Sequence, residues 1–332
     1  KKILFIVNSI DFFISHRLNL AEESFKQGFD VHIIADKSKY ENLNYQYKLK
    51  NFRIYYIQFK KNRINLFIEL INFFKIFYFF IIIKPKVLHL ITIKPIIYAG
   101  LISKLFPNIK LIISFAGLGH IFIDTKKRTK FLKSIIIYLL KIIFKRNNLN
   151  IIFQNQDDKT LISSFTKLNS YKTLIIPGSG IDINKILYKE LPPLKKIHFI
   201  MVSRLLKEKG VLEYLKASNL YLQDFNDASF TLIGDFDTAN PSSVDSNLIS
   251  AWCSQSNRNY FAYNKNTISH IGCSHVVVLP SYREGYPKIL IDASAVGRAI
   301  ITTNVPGCKE CVIDNFNGYL IEVKNYFSLL NS

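Results

Sequence analysis

Apolar runs of four to seven residues alternate along this chain with longer segments of helical periodicity, and the alternation occurs twice over. In the first half, Lys2–Val7, Asp30–Ile34, Val87–Leu90, Lys110–Ser114, Asn150–Phe153 and Thr173–Ile176 read as buried strands, with an extended stretch near Arg53–Phe59. Helix patterns fall between them at Ser15–Gln27, at Ile64–Ile83, from Pro95, and over Phe131–Arg146. Such alternation predicts a parallel sheet wrapped by helices. Pro177-Gly178-Ser179-Gly180 and Leu191-Pro192-Pro193 then punctuate the chain. The pattern restarts with strand Ile197–Val202, a helix from Val211, strand Ser229–Ile233 and a helix at Leu248–Ser256. Strand Val276–Leu279, a helix from Pro287, strand Ala299–Thr302 and the strand-like Gly318–Val323 complete it. The expectation is an α/β protein of two Rossmann-like domains with an interdomain cleft: residues 1–180, a linker at 181–195, and 196–332. A doubly wound second domain is ordinarily closed by further helices, so C-terminal helices are expected to be missing after Ser332.

Charge divides these halves sharply. Residues 1–190 hold 31 Lys+Arg against 12 Asp+Glu, a net +19, whereas 191–332 hold 13 against 12, a net +1. Genome-wide composition bias would touch both halves alike, so the first half calls for an anionic partner. Two of its helices sharpen that expectation. The apolar segment 64–83 is interrupted by Asn65, Glu69, Asn72 and Lys75, which fits a buried or interfacial helix rather than a membrane span. Phe131–Arg146 is a basic amphipathic helix whose Lys133, Lys141, Lys145 and Arg146 suit anionic headgroups. Peripheral association with an anionic membrane surface follows. Four cysteines without regular pairing point to a reducing compartment.

Candidate chemistry concentrates in the second half. Pro280-Ser281-Tyr282-Arg283-Glu284-Gly285-Tyr286-Pro287-Lys288 joins a strand to a helix, with Asp292 eight residues after Glu284. Ligands of open α/β sheets sit at the carboxyl ends of strands, against helix N-termini. Carboxylates there suit hydroxyl groups and exposed amides suit phosphate; a nucleotide sugar carries both. Arg204 and Lys209 flank another strand-to-helix turn, where two cations can stabilise a departing diphosphate. In the first half, His16, placed at a helix start, and His120, after Gly117-Leu118-Gly119, are candidates to orient an acceptor hydroxyl or diphosphate. His32, His89, His198, His270 and His275 read as core or helix residues.

Ser203-Arg204-Leu205-Leu206-Lys207-Glu208-Lys209-Gly210, Leu232-Ile233-Gly234-Asp235, the Glu284 segment and Thr303-Asn304-Val305-Pro306-Gly307-Cys308-Lys309-Glu310 together resemble retaining glycosyltransferases of family 4, with the GT-B fold. Phe12-Phe13-Ile14-Ser15-His16-Arg17-Leu18, Phe115–His120 and Asn240-Pro241 resemble the subgroup that extends undecaprenyl-diphosphate-linked sugars in bacterial glycan assembly. The resemblance implies that Arg204 and Lys209 stabilise the leaving nucleotide and that Glu284 contacts the donor sugar and steadies positive charge at its anomeric carbon. Asp292 would bind ribose, although the usual second acid is Glu, one methylene longer. Backbone amides of Gly285, Tyr286 and Lys288 are implied donor contacts, and Gly234 and Gly307 would let the nucleotide approach closely. The resemblance further implies a UDP-N-acetylhexosamine donor, a lipid-diphosphate-linked acceptor, a site on the cytoplasmic face of the cell membrane, and no metal cofactor.

Three features compete with this picture. Asp235-Phe236-Asp237 is a D-x-D triplet of the kind that holds a divalent ion in the other major glycosyltransferase fold, yet here it follows a Rossmann-type turn. Cys308-Lys309-Glu310-Cys311 lacks the second pair that a zinc site needs and reads as free thiols. The basic half could serve nucleic acid, but its aromatics are interleaved with isoleucines in helices instead of lying open on a sheet. The enzymatic alternative is a nucleotide-sugar epimerase on the same fold.

Overall fold

The computed structural model describes residues 1–37, 48–59, 66–118, 122, 127–166, 168, 170–185, 188–238, 240–263 and 266–332. These form two compact units, Lys1–Ser179 and Gly180–Ser332. Both are built on all-parallel sheets, the α/β plan of two Rossmann-like units that the alternation predicted.

In the first unit the strands are β1 (Lys2–Ile6), β2 (Asp30–Ala35), β3 (Arg53–Tyr56), β4 (Val87–Ile91), β5 (Lys110–Phe115), β6 (Leu149–Phe153) and β7 (Thr173–Ile175), in spatial order 3-2-1-4-5-6-7. The order reverses between β1 and β4. Helices α1 (Ile10–His16) and α2 (Leu18–Lys26) cover one face, where Phe13, Leu18 and Ala21 pack on Phe5, Val7 and Ile33. Helices α3 (Leu66–Ile83), α4 (Ile93–Ser103) and α5 (Lys127–Phe144) cover the other, joining Ile76, Phe80, Ile96, Ile102, Leu140 and Ile143 to Leu4, Ile6, Leu90 and Ile113. The period-2 alternation of each strand feeds both cores at once, the reason these strands read as nearly continuous apolar runs.

The helix expected from Ser15 begins earlier and is broken. Ser9 caps α1, its hydroxyl accepting from the Phe12 amide, and the non-helical Arg17 separates α1 from α2. His16 therefore ends a helix; it does not start one. Two of the polar interruptions of α3 face inward: buried Glu69 accepts from Lys94 Nζ at 2.7 Å and from the Tyr98 hydroxyl, and Asn72 donates to the Gln58 carbonyl, whereas Lys75 is exposed and Asn65 lies outside the described residues. Among the described residues no helix is long and apolar enough to cross a membrane. Arg146 differs from expectation. It is 9% exposed and donates to the carbonyls of Ser103, Phe106, Pro107 and Ile109, satisfying the end of α4 instead of meeting headgroups.

His89, in β4, is buried with Nε2 2.7 Å from the Ser114 hydroxyl, and burial, reinforced by Arg17, lowers its pKa to about 3. Its neutral form is the folded form, so its stabilisation is complete above the unfolded pKa near 6.5 and is lost as pH falls toward 3. Urea melts followed by circular dichroism should show the first unit losing about 2 kcal/mol between pH 6.5 and pH 5. His89→Gln should flatten that slope, leaving the smaller contribution of His32, also lowered by burial.

The second unit repeats the plan with β8 (Ile197–Val202), β9 (Ala228–Ile233), β10 (Arg258–Phe261), β11 (Val276–Leu279), β12 (Ala299–Thr303) and β13 (Gly318–Ile321), ordered 10-9-8-11-12-13. Helices α7 (Val211–Asp224) and α8 (Ser246–Cys253) pack on one face around Tyr214 and Trp252, and α9 (Thr267–Gly272) and α10 (Lys288–Val296) on the other; α6 (Gln156–Thr166) belongs to the first unit. The last helix, α11 (Tyr326–Leu330), adds Leu329 to the core around Tyr214. Within 181–195, Lys189 and Glu190 are held to this unit by Arg298, which donates to both carbonyls. Here too the order reverses, between β8 and β11, and that is where the candidate chemistry gathers.

Candidate functional site

Beyond β8 the chain runs through Arg204 into a 3-10 turn at Lys207–Lys209 before α7. Beyond β11 it runs through Pro280 to Pro287 before α10. These loops meet: Tyr282 and Glu208 share a backbone hydrogen bond, and Lys209 Nζ donates to Glu284 Oε1 at 2.5 Å. The ion pair is largely withdrawn from solvent, with side chains 17% and 15% exposed. The Ser281 hydroxyl stands 2.8 Å from the same carboxylate oxygen and 3.1 Å from the Glu208 carbonyl. A third loop, after β12, closes the arrangement: the Glu284 amide donates to the Pro306 carbonyl, and Thr303 Oγ1 donates to the Ser281 carbonyl. The carboxylate is held by Lys209 and Ser281 and its backbone by the third loop, in the kind of supported geometry that catalysis requires.

Gly307 adopts φ +88, and a Cβ there would overlap the Glu284 carbonyl and crowd that of Gly285. A Cβ on Gly234 would overlap the Ser203 carbonyl. In both cases it is the protein's own backbone that stands against the glycine. The Gly307 amide donates to Glu310 Oε2, and the Glu310 carbonyl accepts from the Tyr286 hydroxyl. Burial raises the Tyr286 phenol to about 12. Cys308 and Cys311 lie alongside as free thiols, both raised to about 12 chiefly by burial, with the negative charge of Glu284 adding to each.

Asp292 sits in the first turns of α10 and is occupied by Lys288, whose ammonium donates to Oδ1 at 2.5 Å. Burial raises the Asp292 pKa while the Lys288 charge opposes it. The shorter acid lets Lys288, one helical turn earlier, cover it. No side chain caps α10 at Pro287, leaving the positive end of the helix beside the Glu284 loop available to an anion. Arg204 stands apart from this cluster: 56% exposed, it lies 3.9 Å from Asp237. Asp235 accepts from the Tyr263 amide. The D-x-D carboxylates are thus engaged with protein groups, and among the described residues no set of three or more His, Cys, Asp or Glu side chains converges as a metal cage.

Of the first-unit candidates, His16 stacks on Phe12 with centroids 4.1 Å apart and has Nδ1 2.6 Å from the Ser15 hydroxyl. His120 lies outside the described residues. The structure therefore brings together Lys209, Glu284 and Gly307, with the Lys288–Asp292 pair at the head of the following helix. Sequence reasoning gave no role to Ser281, Thr303, Glu310 or Glu213, the last accepting from the Tyr282 hydroxyl at 2.6 Å. Ser281, three residues before Glu284, and Glu310, three residues after Gly307, were within reach of a local pattern; Thr303 and Glu213 depend on pairing between distant loops.

The polar cluster stands at the topological switch point of a parallel sheet, the place where open α/β sheets bind ligands. Solved structures share the fold: sucrose-phosphate synthase from Thermosynechococcus elongatus (TM-score 0.77, 15% identity, 100% of this chain and 88% of that one) and Anabaena HepE in complex with UDP and glucose (TM-score 0.74, 14% identity, 99% and 88%). Residues 182–331 match the family model "Glycosyl transferases group 1", and residues 2–155 match "Glycosyl transferase 4-like". The chain belongs to the group 1 glycosyltransferases of the family 4 type. Among curated relatives it is 27% identical over 221 residues to a Campylobacter jejuni N,N'-diacetylbacillosaminyl-diphospho-undecaprenol alpha-1,3-N-acetylgalactosaminyltransferase, covering 63% of this chain and 56% of the relative. It is 25% identical over 312 residues to the Staphylococcus aureus capsular polysaccharide biosynthesis glycosyltransferase CapM, covering 90% and 77%. The chain thus spans a little over half the length of the Campylobacter relative.

Proposed function

We propose that this chain transfers a sugar, an N-acetylhexosamine, from a UDP donor to a lipid-diphosphate-linked saccharide, retaining the anomeric configuration and using no metal. The observation that carries the reading is the Lys209–Glu284 pair, fixed at the switch point beside the uncapped start of α10. In this reading Lys209 transfers its charge from Glu284 to the donor diphosphate. The α10 amides, with Arg204 swinging from Asp237, complete the cationic cradle for the leaving group. Glu284, released from its partner, faces the oxocarbenium-like centre. Same-face displacement follows, in which the bond to the donor phosphate breaks, the acceptor oxygen bonds to the anomeric carbon, and the departing phosphate oxygen takes the acceptor proton.

The basic first unit holds the acceptor diphosphate, with His16 and His120 as candidates to orient it, and places the enzyme on the cytoplasmic face of the membrane. The undecaprenyl-linked chemistry in the name of the Campylobacter relative supports that choice of acceptor class, and the HepE complexes with UDP and UDP-glucose support the donor class.

The test is incubation of the protein with bacterial membranes and a panel of radiolabelled nucleotide sugars, with and without EDTA. Label from a UDP-N-acetylhexosamine should enter the lipid fraction equally in both arms. Loss of transfer on chelation would contradict the metal-free mechanism, and indifference to every nucleotide sugar would contradict the donor.

A further inference from the structure

Helix α3 is apolar on both sides. Ile76, Phe80 and Ile83 lie in the core at 1% exposure or less, which accounts for the inner face. The outer face should then be polar. Instead Leu70, Phe74, Tyr78 and Ile81, spaced to form one stripe, are 54%, 60%, 59% and 47% exposed. Helix α5 continues the pattern with Phe131 and Tyr138, 71% and 64% exposed. Both helices join one core on the same face of the first sheet, with α4 packed between them, so their outer faces look away from the sheet on the same side.

The charges around this surface are of one sign. Lys75 of α3, Lys104 after α4, Lys130 and Lys141 of α5, and Lys145 just after it are exposed. The sequence of α3, α4 and α5 contains a single acid, Glu69, and it is turned inward to Lys94.

We infer that the outer faces of α3 and α5 form a membrane-docking surface, with the aromatic and aliphatic stripe entering the interface of an anionic bilayer and the lysines meeting its headgroups. An apolar patch rimmed by cations matches the two layers of such a surface, hydrocarbon below and negative charge above. A second copy of the chain fits less well. A two-fold interface would place each lysine-rimmed patch on its twin, with no exposed acid on these helices to pair the cations. Nucleic acid would satisfy the lysines but leave Leu70 and Ile81 in water. The assignment also changes which helix inserts: the charged helix α5 was the expected membrane contact, yet α3 carries the longer apolar stripe. The purpose of docking rests on the lipid-linked acceptor proposed above, but docking itself is measurable without any sugar.

The experiment is co-sedimentation of the whole chain with vesicles of phosphatidylcholine with or without phosphatidylglycerol, at low and high salt. The wild type should bind the phosphatidylglycerol vesicles. Phe74→Asn/Tyr78→Asn should weaken binding at least ~10-fold at both salt levels, because it removes apolar burial. Lys130→Gln/Lys141→Gln/Lys145→Gln should weaken it ~100-fold at low salt and much less at high salt, because its contribution is screened. Both variants should bind UDP as the wild type does, which also shows that they fold. Unchanged vesicle binding by the aromatic variant would overturn the inference, as would dimers in analytical ultracentrifugation that the same variant dissociates. Failure here with UDP binding intact would leave the donor assignment standing; loss of UDP binding by the wild type would strike that assignment instead.

Discussion

Glu284→Gln is expected to lower the transfer rate ~100- to 1,000-fold, the usual effect of removing one fixed group that opposes developing charge in a transition state. The substitution is nearly isosteric. Its amide oxygen still accepts from Ser281, so the loop between β11 and α10 should keep its conformation. What disappears is the negative charge, and with it the counter-ion of Lys209. Lys209 then becomes freer to meet a diphosphate, so affinity for UDP should hold or rise while turnover collapses. That split separates a role in catalysis from one in binding, and single-turnover kinetics set beside a UDP titration would read it. A parallel loss of UDP affinity would mean that Glu284 merely holds the donor. An undiminished rate would remove it from the mechanism.

Gly307→Ala should be strongly damaging for so conservative a change, costing about 3–4 kcal/mol. Part of that cost is the left-handed φ of +88, worth about 1–2 kcal/mol for a residue with a Cβ. The rest comes from overlap with the Glu284 carbonyl and crowding against that of Gly285, both backbone groups that cannot rotate away. Gly180 provides the control: its φ is +66, but nothing lies within 4 Å of a Cβ built there, so Gly180→Ala should show the dihedral cost alone. Trp252, the sole tryptophan and 3% exposed in the core of that unit, reports unfolding of the second unit by fluorescence. Urea midpoints should fall clearly further for Gly307→Ala than for Gly180→Ala. Equal shifts would show that the loop carrying Glu284 is soft, contrary to the fixed geometry argued for it.

The central strands were legible because they are buried on both faces, and only an unbroken apolar run satisfies that requirement. Ile197–Val202 and Val276–Leu279 stand where their patterns placed them. Elements at the margins escaped detection. Strand β10 is an edge strand of mixed composition, Arg-Asn-Tyr-Phe, with one partner only. Helix α6 starts with Gln156, Asp157 and Asp158 and is marked mainly by Asn155, whose side chain accepts from the Asp158 amide. In the site, a carboxylate after a strand and a lysine before a helix can be seen in sequence, since each is a local signature. Their ion pair spans 75 residues and could not be. Contact between separate loops likewise hid the reason for Gly307, which answers to the Glu284 backbone. The diversion of Asp292 to Lys288 went unread although their four-residue spacing was in plain view. Charge asymmetry set the first half apart, but composition alone could not say that Arg146 would turn inward or that α3 would leave an aromatic stripe in the open.

Isothermal titration of the purified chain with UDP, in the presence of EDTA, reaches the central claim by the shortest route. The account predicts micromolar binding that weakens at least ~10-fold in Lys209→Met, because the diphosphate would lose a charge-assisted contact. Heats indistinguishable from dilution, for UDP and for the other nucleoside diphosphates alike, would contradict it.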